Sequence, residues 1–163
     1  MSLPLPHALT ISRLDACRCH SPLHQREEPF VNDRRRALVC SDTEALQPYL
    51  EAGQIPPAFE MAGPRAQIFF EASQLTCGIV TCGGLCPGLN NVIRSVVLTL
   101  TYVYGVPRIL GFRYGYGGLA ATSEHTPLLL TPAVVEDIHE HGGTLLGSSR
   151  GPQDVGGKAS CRL

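Results

Sequence analysis

The 163-residue chain has no tryptophan, only two methionines, and Lys158 as its only lysine, so arginine makes up twelve of its thirteen basic residues. A phosphate-binding lysine anywhere upstream of Lys158 is thereby excluded. The formal charge of −1 at neutral pH favours neither sign, which removes bulk charge as a basis for nucleic-acid binding. Long apolar runs are missing too. A membrane-spanning helix needs roughly 18 to 20 uninterrupted apolar residues, and the richest stretch, residues 92–104, contains Arg94, Ser95, Thr99 and Thr101. Residues 1–10 hold two prolines and no Lys or Arg, so the charged start of a secretory leader is lacking. The expectation is a cytoplasmic chain with no membrane and no nucleic-acid partner. With 44% apolar and 17% charged residues, the composition also excludes a collagen, a long coiled coil or an acidic disordered tail.

A disulfide framework finds no support. Seven cysteines are an odd number, and the spacing of Cys17, Cys19, Cys40, Cys77, Cys82, Cys86 and Cys161 repeats no pattern. In a reducing compartment most of them are free thiols. Cys77, Cys82 and Cys86 with nearby histidines are the best zinc candidate, but no C-x-x-C pair exists and the first two fall on a strand that reads as buried and on its end. No metal site is expected from them.

Up to about Pro57 the chain is rich in Pro, Arg, Glu and His, and only residues 43–50 show a sustained apolar period. Residues 1–58 therefore read as an extension that is mostly loop or poorly ordered. Arg34, Arg35 and Arg36 stand beside Glu27, Glu28 and Asp33, which makes them a solvated charge run.

The texture changes at Leu75. Residues 75–81 are short, β-branched and apolar, and residues 82–88 bring three glycines and a proline: strand, then loop. In residues 89–104 the apolar positions Leu89, Val92, Ile93, Val96, Val97, Leu100 and Val103 follow a 3.6-residue spacing that stops at Gly105, so a core-facing helix is expected. Its many β-branched residues lower intrinsic propensity, so packing on a sheet has to hold it. Residues 107–112 read as a second strand parallel to the first. A glycine-rich turn at residues 115–118 leads to Leu128, Leu129 and Leu130. Thr131 and Pro132 are placed to start a helix facing inward through Val134, Val135 and Ile138 and ending at Gly142 and Gly143. Residues 144–147 suit a third short strand, and residues 148–154 a loop at its carboxyl end.

In an open parallel sheet, ligands bind beyond the carboxyl ends of the strands, where loops 82–88 and 148–154 converge. Gly83 and Gly84 let backbone approach a ligand closely, and the free N–H groups of the helix starting at Leu89 favour an anion. A tight strand-to-helix turn with no ligand explains the same residues equally well. The loop is neither a Walker loop, lacking G-K-[ST], nor a dinucleotide fingerprint, lacking G-x-G-x-x-G. Arg150, among Ser148, Ser149 and Gly151, adds a guanidinium able to grip phosphate oxygens in two-point fashion.

Residues 81–94, T-C-G-G-L-C-P-G-L-N-N-V-I-R, resemble the nucleotide loop and first helix of the 6-phosphofructokinases, in the form with Leu85 and Cys86 of the plant-type ATP-dependent branch. Two further stretches match in order: F-E-M-A-G-P-R at 59–65, with Ile68, Phe69 and Phe70 after it, and G-G-T-L-L-G-S-S-R-G at 142–151. The resemblance implies an α/β fold, an incomplete three-layer Rossmann-like parallel sheet, with residues 59–155 forming part of the nucleotide lobe and 156–163 a divergent tail. It places Gly83, with Gly84 beside it, against the nucleotide phosphates, gives Arg150 with Gly151 the phosphate contact of the G-S-x-R loop, and puts Tyr116 near the base. Packing against the loop explains Tyr116 equally well. The implied reaction moves the γ-phosphoryl of ATP to the 1-hydroxyl of fructose 6-phosphate, with magnesium, in a homo-oligomer. The family's G-G-D-G-[TS] segment for magnesium and its T-x-D-N-D segment for the catalytic base do not occur in these 163 residues. On this reading the chain is an amino-terminal fragment from a truncated or frame-disrupted gene, without catalytic residues of its own and inactive alone. It is also expected to be marginally stable and prone to associate, because both sheet edges are left unpaired. The alternative is a non-catalytic nucleotide- or phosphate-binding module that joins a complete kinase subunit.

Overall fold

A computed structural model of the chain describes residues 14–25, 30–120 and 124–150, which divide into two compact units, Met1–Phe70 and Glu71–Leu163. The first unit is built from short antiparallel pairs. β1 (Cys19–His20) pairs with β4 (Gln67–Ile68), and β2 (Arg36–Leu38) pairs with β3 (Ala58–Glu60). Between the second pair lies α1 (Thr43–Glu51), the stretch whose apolar period stands out in this part of the sequence. Asp42 caps it, accepting a hydrogen bond from Ala45 N–H at 3.0 Å. Arg36 pairs with Glu60 at 3.5 Å across the strands, while Arg34 and Arg35 face solvent.

The second unit carries the α/β core. β5 (Thr76–Val80) leads through the glycine loop to α2 (Leu89–Tyr102) and on to β6 (Arg108–Phe112), which lies parallel to β5 from Thr76↔Arg108 to Val80↔Phe112. The strand, helix, parallel strand unit is thus present, as the expected α/β, Rossmann-like but incomplete lobe requires. The helix stop also works as its sequence predicts: Val106 N–H reaches Leu100 O at 2.9 Å because Gly105 turns left-handed at φ +66°.

Five expectations need correction. β5 reads as a buried strand but is only half-buried, because among the described residues no strand but β6 pairs with it. β7 (Leu128–Leu129) runs antiparallel to β6, so the three-stranded sheet, in order β5-β6-β7, is mixed rather than wholly parallel. On α2 the buried face is Asn90, Ile93 and Val97, whereas Val92 (60% exposed) and Val96 point outward. The apolar stripe is wider than the surface this small sheet offers it.

The remaining two elements stop short. Thr131 does cap, accepting from Val134 N–H at 3.3 Å, but one turn later the chain leaves the helix and forms only a 3-10 turn at Ile138–Glu140. Paired β-branched residues followed by Asp137 give a poor helix. Val135 and Ile138 still reach the core, and Val134 does not. Residues 144–147 form a turn instead of a strand. Their polar groups bond locally, Leu146 N–H to Thr144 Oγ1 at 3.2 Å and Gly147 N–H to Thr144 O at 3.1 Å, which leaves no ladder to extend.

One core ties these pieces together, with Ile93 and Val97 of α2, Ile109 of β6, and Leu130, Val135, Ile138 and Leu146 from the segments that follow. Leu146 is fully buried and fills the space beside Gly111, where a β-carbon would lie 2.5 Å from its Cδ2. Leu146→Ala is expected to lower unfolding stability by about 2–5 kcal/mol in a urea titration. Leu129→Ala, 55% exposed on β7, should change it by no more than about 0.5 kcal/mol. Equal losses would contradict this account of the core.

Candidate functional site

Beyond the carboxyl end of β5 the chain bends outward at Cys82 and meets a segment more than sixty residues further on. Cys82 and Ser149 form an isolated parallel bridge. Gly83 N–H donates to Ser149 O at 3.2 Å, and Ser148 Oγ donates back to Gly83 O at 2.7 Å. Just before the bend, Thr81 Oγ1 donates to Gly147 O at 2.5 Å and lies 3.3 Å from Thr144 Oγ1. The two loops that the sequence places at strand ends are therefore stitched side by side, where open α/β sheets accept ligands.

The two glycines of this loop stand in different surroundings. Gly83 sits at φ +99° with open space around it, so its backbone conformation, not crowding, excludes a side chain. At Gly84 the flexible end of the Arg150 side chain, its guanidinium, occupies the place a β-carbon would take and would have to move aside for one. Arg150 thus lies against the bare backbone of Gly84, both residues being exposed. The N–H of Gly83 is spent on joining the loops, whereas Gly84, Leu85 and Cys86 donate no backbone hydrogen bond among the described residues.

Gly88, at φ +87°, starts α2 without any side-chain cap, and there is no acidic residue in the first turn. The first amides of the helix are left uncapped, and its positive dipole end faces the same loop. With Arg150 beside it, the region attracts anions. Segments 81–90 and 144–150 contain no carboxylate to oppose that attraction. Gly151 lies outside the described residues.

Tyr116 follows Gly115, whose β-carbon position is 3.4 Å from both Cys82 Sγ and Ser149 O, so the glycine turn packs against the junction of the loops. The Tyr116 side chain itself is 49% exposed. The aromatic that touches the arginine loop is Tyr114. Its N–H donates to Leu146 O at 2.8 Å, and a β-carbon on Gly147 would lie 2.7 Å from its ring. It adopts φ +59°, rare for a non-glycine residue, and its ring packs 4.6 Å from that of His125. Nothing in the spacing of G-Y-G-G separates these two tyrosines.

Asn90 was also not singled out by sequence reasoning. It is 5% exposed, and its side chain donates to His141 O at 3.0 Å and accepts from Leu145 N–H at 2.7 Å. A buried position in the first turn of an otherwise apolar helix face is the signal that points to it. The cysteines do not gather: Cys77 stays on β5, where burial pushes its thiol pKa up, and Cys82 and Cys86 are exposed on the loop. Among the described residues no three His, Cys, Asp or Glu side chains stand close enough to hold a metal ion, and no helix is long and apolar enough to cross a membrane.

The phosphofructokinase family model matches residues 76–160. An ATP-dependent 6-phosphofructokinase of Amycolatopsis methanolica is 47% identical over 153 residues, covering 90% of this chain and 33% of that protein. One from Borreliella burgdorferi is 53% identical over 148 residues, covering 86% of this chain and 32% of its own. ATP-dependent 6-phosphofructokinase 7 of Arabidopsis thaliana is 53% identical over 97 residues, covering 60% of this chain and 19% of its own. The chain spans a third or less of the length of these relatives. A crystal structure of Pichia pastoris phosphofructokinase in the T-state overlays on 50% of this chain and 8% of its own, at 30% identity and a TM-score of 0.42.

The two glycines are separable by experiment. Gly84→Ala should displace the flexible end of Arg150, seen as a shifted side-chain Nε–H resonance, with a stability change within about 0.5 kcal/mol. Gly83→Ala should cost about 1–3 kcal/mol in urea unfolding through backbone strain. Equal costs for the two, or an unmoved Arg150 resonance in Gly84→Ala, would contradict these assignments.

Proposed function

The chain belongs to the phosphofructokinase family, and on that footing we propose that residues 81–91 and 144–150 form its seat for the phosphates of ATP, in an enzyme that phosphorylates the 1-hydroxyl of fructose 6-phosphate. The observation that carries the reading is the pairing of Gly83 with Ser149, which brings the guanidinium of Arg150 against the bare backbone of Gly84 at the uncapped start of α2.

Phosphoryl transfer asks a protein chiefly for positioning and charge stabilisation. This seat supplies both from its own residues. The free amides of residues 84–86 and the first turn of α2 point partial positive charge at one place, and Gly84 allows a phosphate to approach within hydrogen-bonding range of the backbone. Arg150 provides a planar fork for two phosphate oxygens and remains charged throughout. The loops are already held together, so the donors require little rearrangement when charge develops on the phosphoryl group. Tyr116, and Gly151 beyond the described residues, belong to the same seat on this reading, Tyr116 toward the base.

Magnesium belongs to the reaction named here, but the described residues do not fit it. Neither segment of the seat holds a carboxylate, and no cluster of potential ligands forms elsewhere among them. No step is therefore assigned to a metal held by these residues. A cytoplasmic setting and assembly into a homo-oligomer complete the proposal. Free thiols at six described cysteines suit a reducing compartment, and Val92, Val96 and Leu129 offer exposed apolar surface for association.

Calorimetric titration with ATP tests the seat. Binding is expected in the native chain, with a Kd about 10- to 100-fold weaker in Arg150→Ala, the loss of a charge-assisted hydrogen-bond pair. Affinity should also fall as salt rises. The absence of heat in the native chain, or an unchanged Kd in Arg150→Ala, would overturn the proposal.

A further inference from the structure

We infer that Asn90 is the positioning residue of the phosphate seat, acting on Arg150 through the segment that carries it. The inference rests in part on the ATP reading above, which it deepens. Residues 141–150 form neither strand nor helix, so no ladder fixes where Ser148, Ser149 and Arg150 lie. Side chains from elsewhere do that work. At one end Asn90 engages the backbone twice, donating to His141 O at 3.0 Å and accepting from Leu145 N–H at 2.7 Å. At the other end Thr81 holds Gly147 O.

The amide of Asn90 suits this task because it offers donor and acceptor in one rigid plane, so a single side chain satisfies one carbonyl and one N–H on the same passing segment. It is 5% exposed, where an unmade hydrogen bond is costly and a made one is therefore specific in geometry. Asn90 is also the second residue of α2. The side chain that fixes the arginine loop thus grows from the same helix turn whose free amides face the anion, and the two halves of the seat are referenced to one rigid element. A shift in Asn90 would move Leu145, then the turn at Gly147, then the Ser149–Gly83 pairing.

The test uses the 163-residue chain and two readouts. One is amide hydrogen exchange at Gly83, whose N–H reports whether the loops are joined. The other is ATP affinity in a double-mutant cycle of Asn90→Ala with Arg150→Ala. Val97→Ala, a core truncation seven residues further along the same helix, is the control for lost stability. Asn90→Ala is expected to speed Gly83 exchange about tenfold beyond Val97→Ala and to weaken ATP about tenfold, and the affinity effect should vanish when Arg150 is already alanine. Gly83 exchange no faster than in Val97→Ala, or affinity losses that simply multiply in the double variant, would overturn the inference. If Asn90→Ala fails to fold, Asn90→Asp, which keeps the volume and an acceptor but not the donor, is judged by the same two criteria. Native chain that binds no ATP would defeat the nucleotide reading alone, with the exchange result then deciding whether Asn90 positions the loop.

Discussion

The site depends on one short piece of backbone pairing, Cys82 and Gly83 against Ser149, between segments that the sequence separates by more than sixty residues. It is not a strand, and it adds little stability by itself. Its importance is geometric. β5 delivers the glycine loop to the edge of the sheet, the turn ending at Gly147 delivers the arginine loop, and the pairing joins them so that Arg150 lies on Gly84. If the loops separate, a glycine turn and a surface arginine are left, neither of which makes the proposed phosphate seat alone.

Around this junction the second unit places rigid supports at several points. Thr81, Asn90 and Tyr114 each bond to the backbone of the arginine segment, at Gly147, at His141 and Leu145, and at Leu146 respectively. Leu146 anchors that segment in the core, and Gly111 on β6 makes room for it. A loop without regular structure thereby gains a fixed position from its neighbours, which a preorganised binding site requires. The first unit carries its own small sheets and α1.

Much of this was legible beforehand, for identifiable reasons. The 3.6-residue period and Gly105 marked α2 to within two residues, and the change from β-branched run to glycine loop marked β5. These signals are local. The failures involve competition that sequence does not display. Val92 and Val96 fit the helical stripe, but the sheet is too narrow to cover them. Residues 144–147 have strand composition, but the Thr144 hydroxyl and Gly147 turn the backbone on itself. Thr131 capped a helix that β-branched residues and Asp137 then cut short. Gly83, Gly84 and Arg150, the residues proposed for phosphate, stand out by type and by the resemblance to phosphofructokinases, whereas Asn90 and Tyr114 act through partners that only the fold brings near.

The central claim is that both loops receive one anion together. Backbone amide resonances followed during titration with inorganic pyrophosphate test it most directly. The account predicts concerted shifts at Gly84, Leu85, Cys86 and the first turn of α2, accompanied by Ser149 and Arg150, all saturating with a single affinity. Shifts confined to one of the two loops, or two loops saturating at different concentrations, would contradict it.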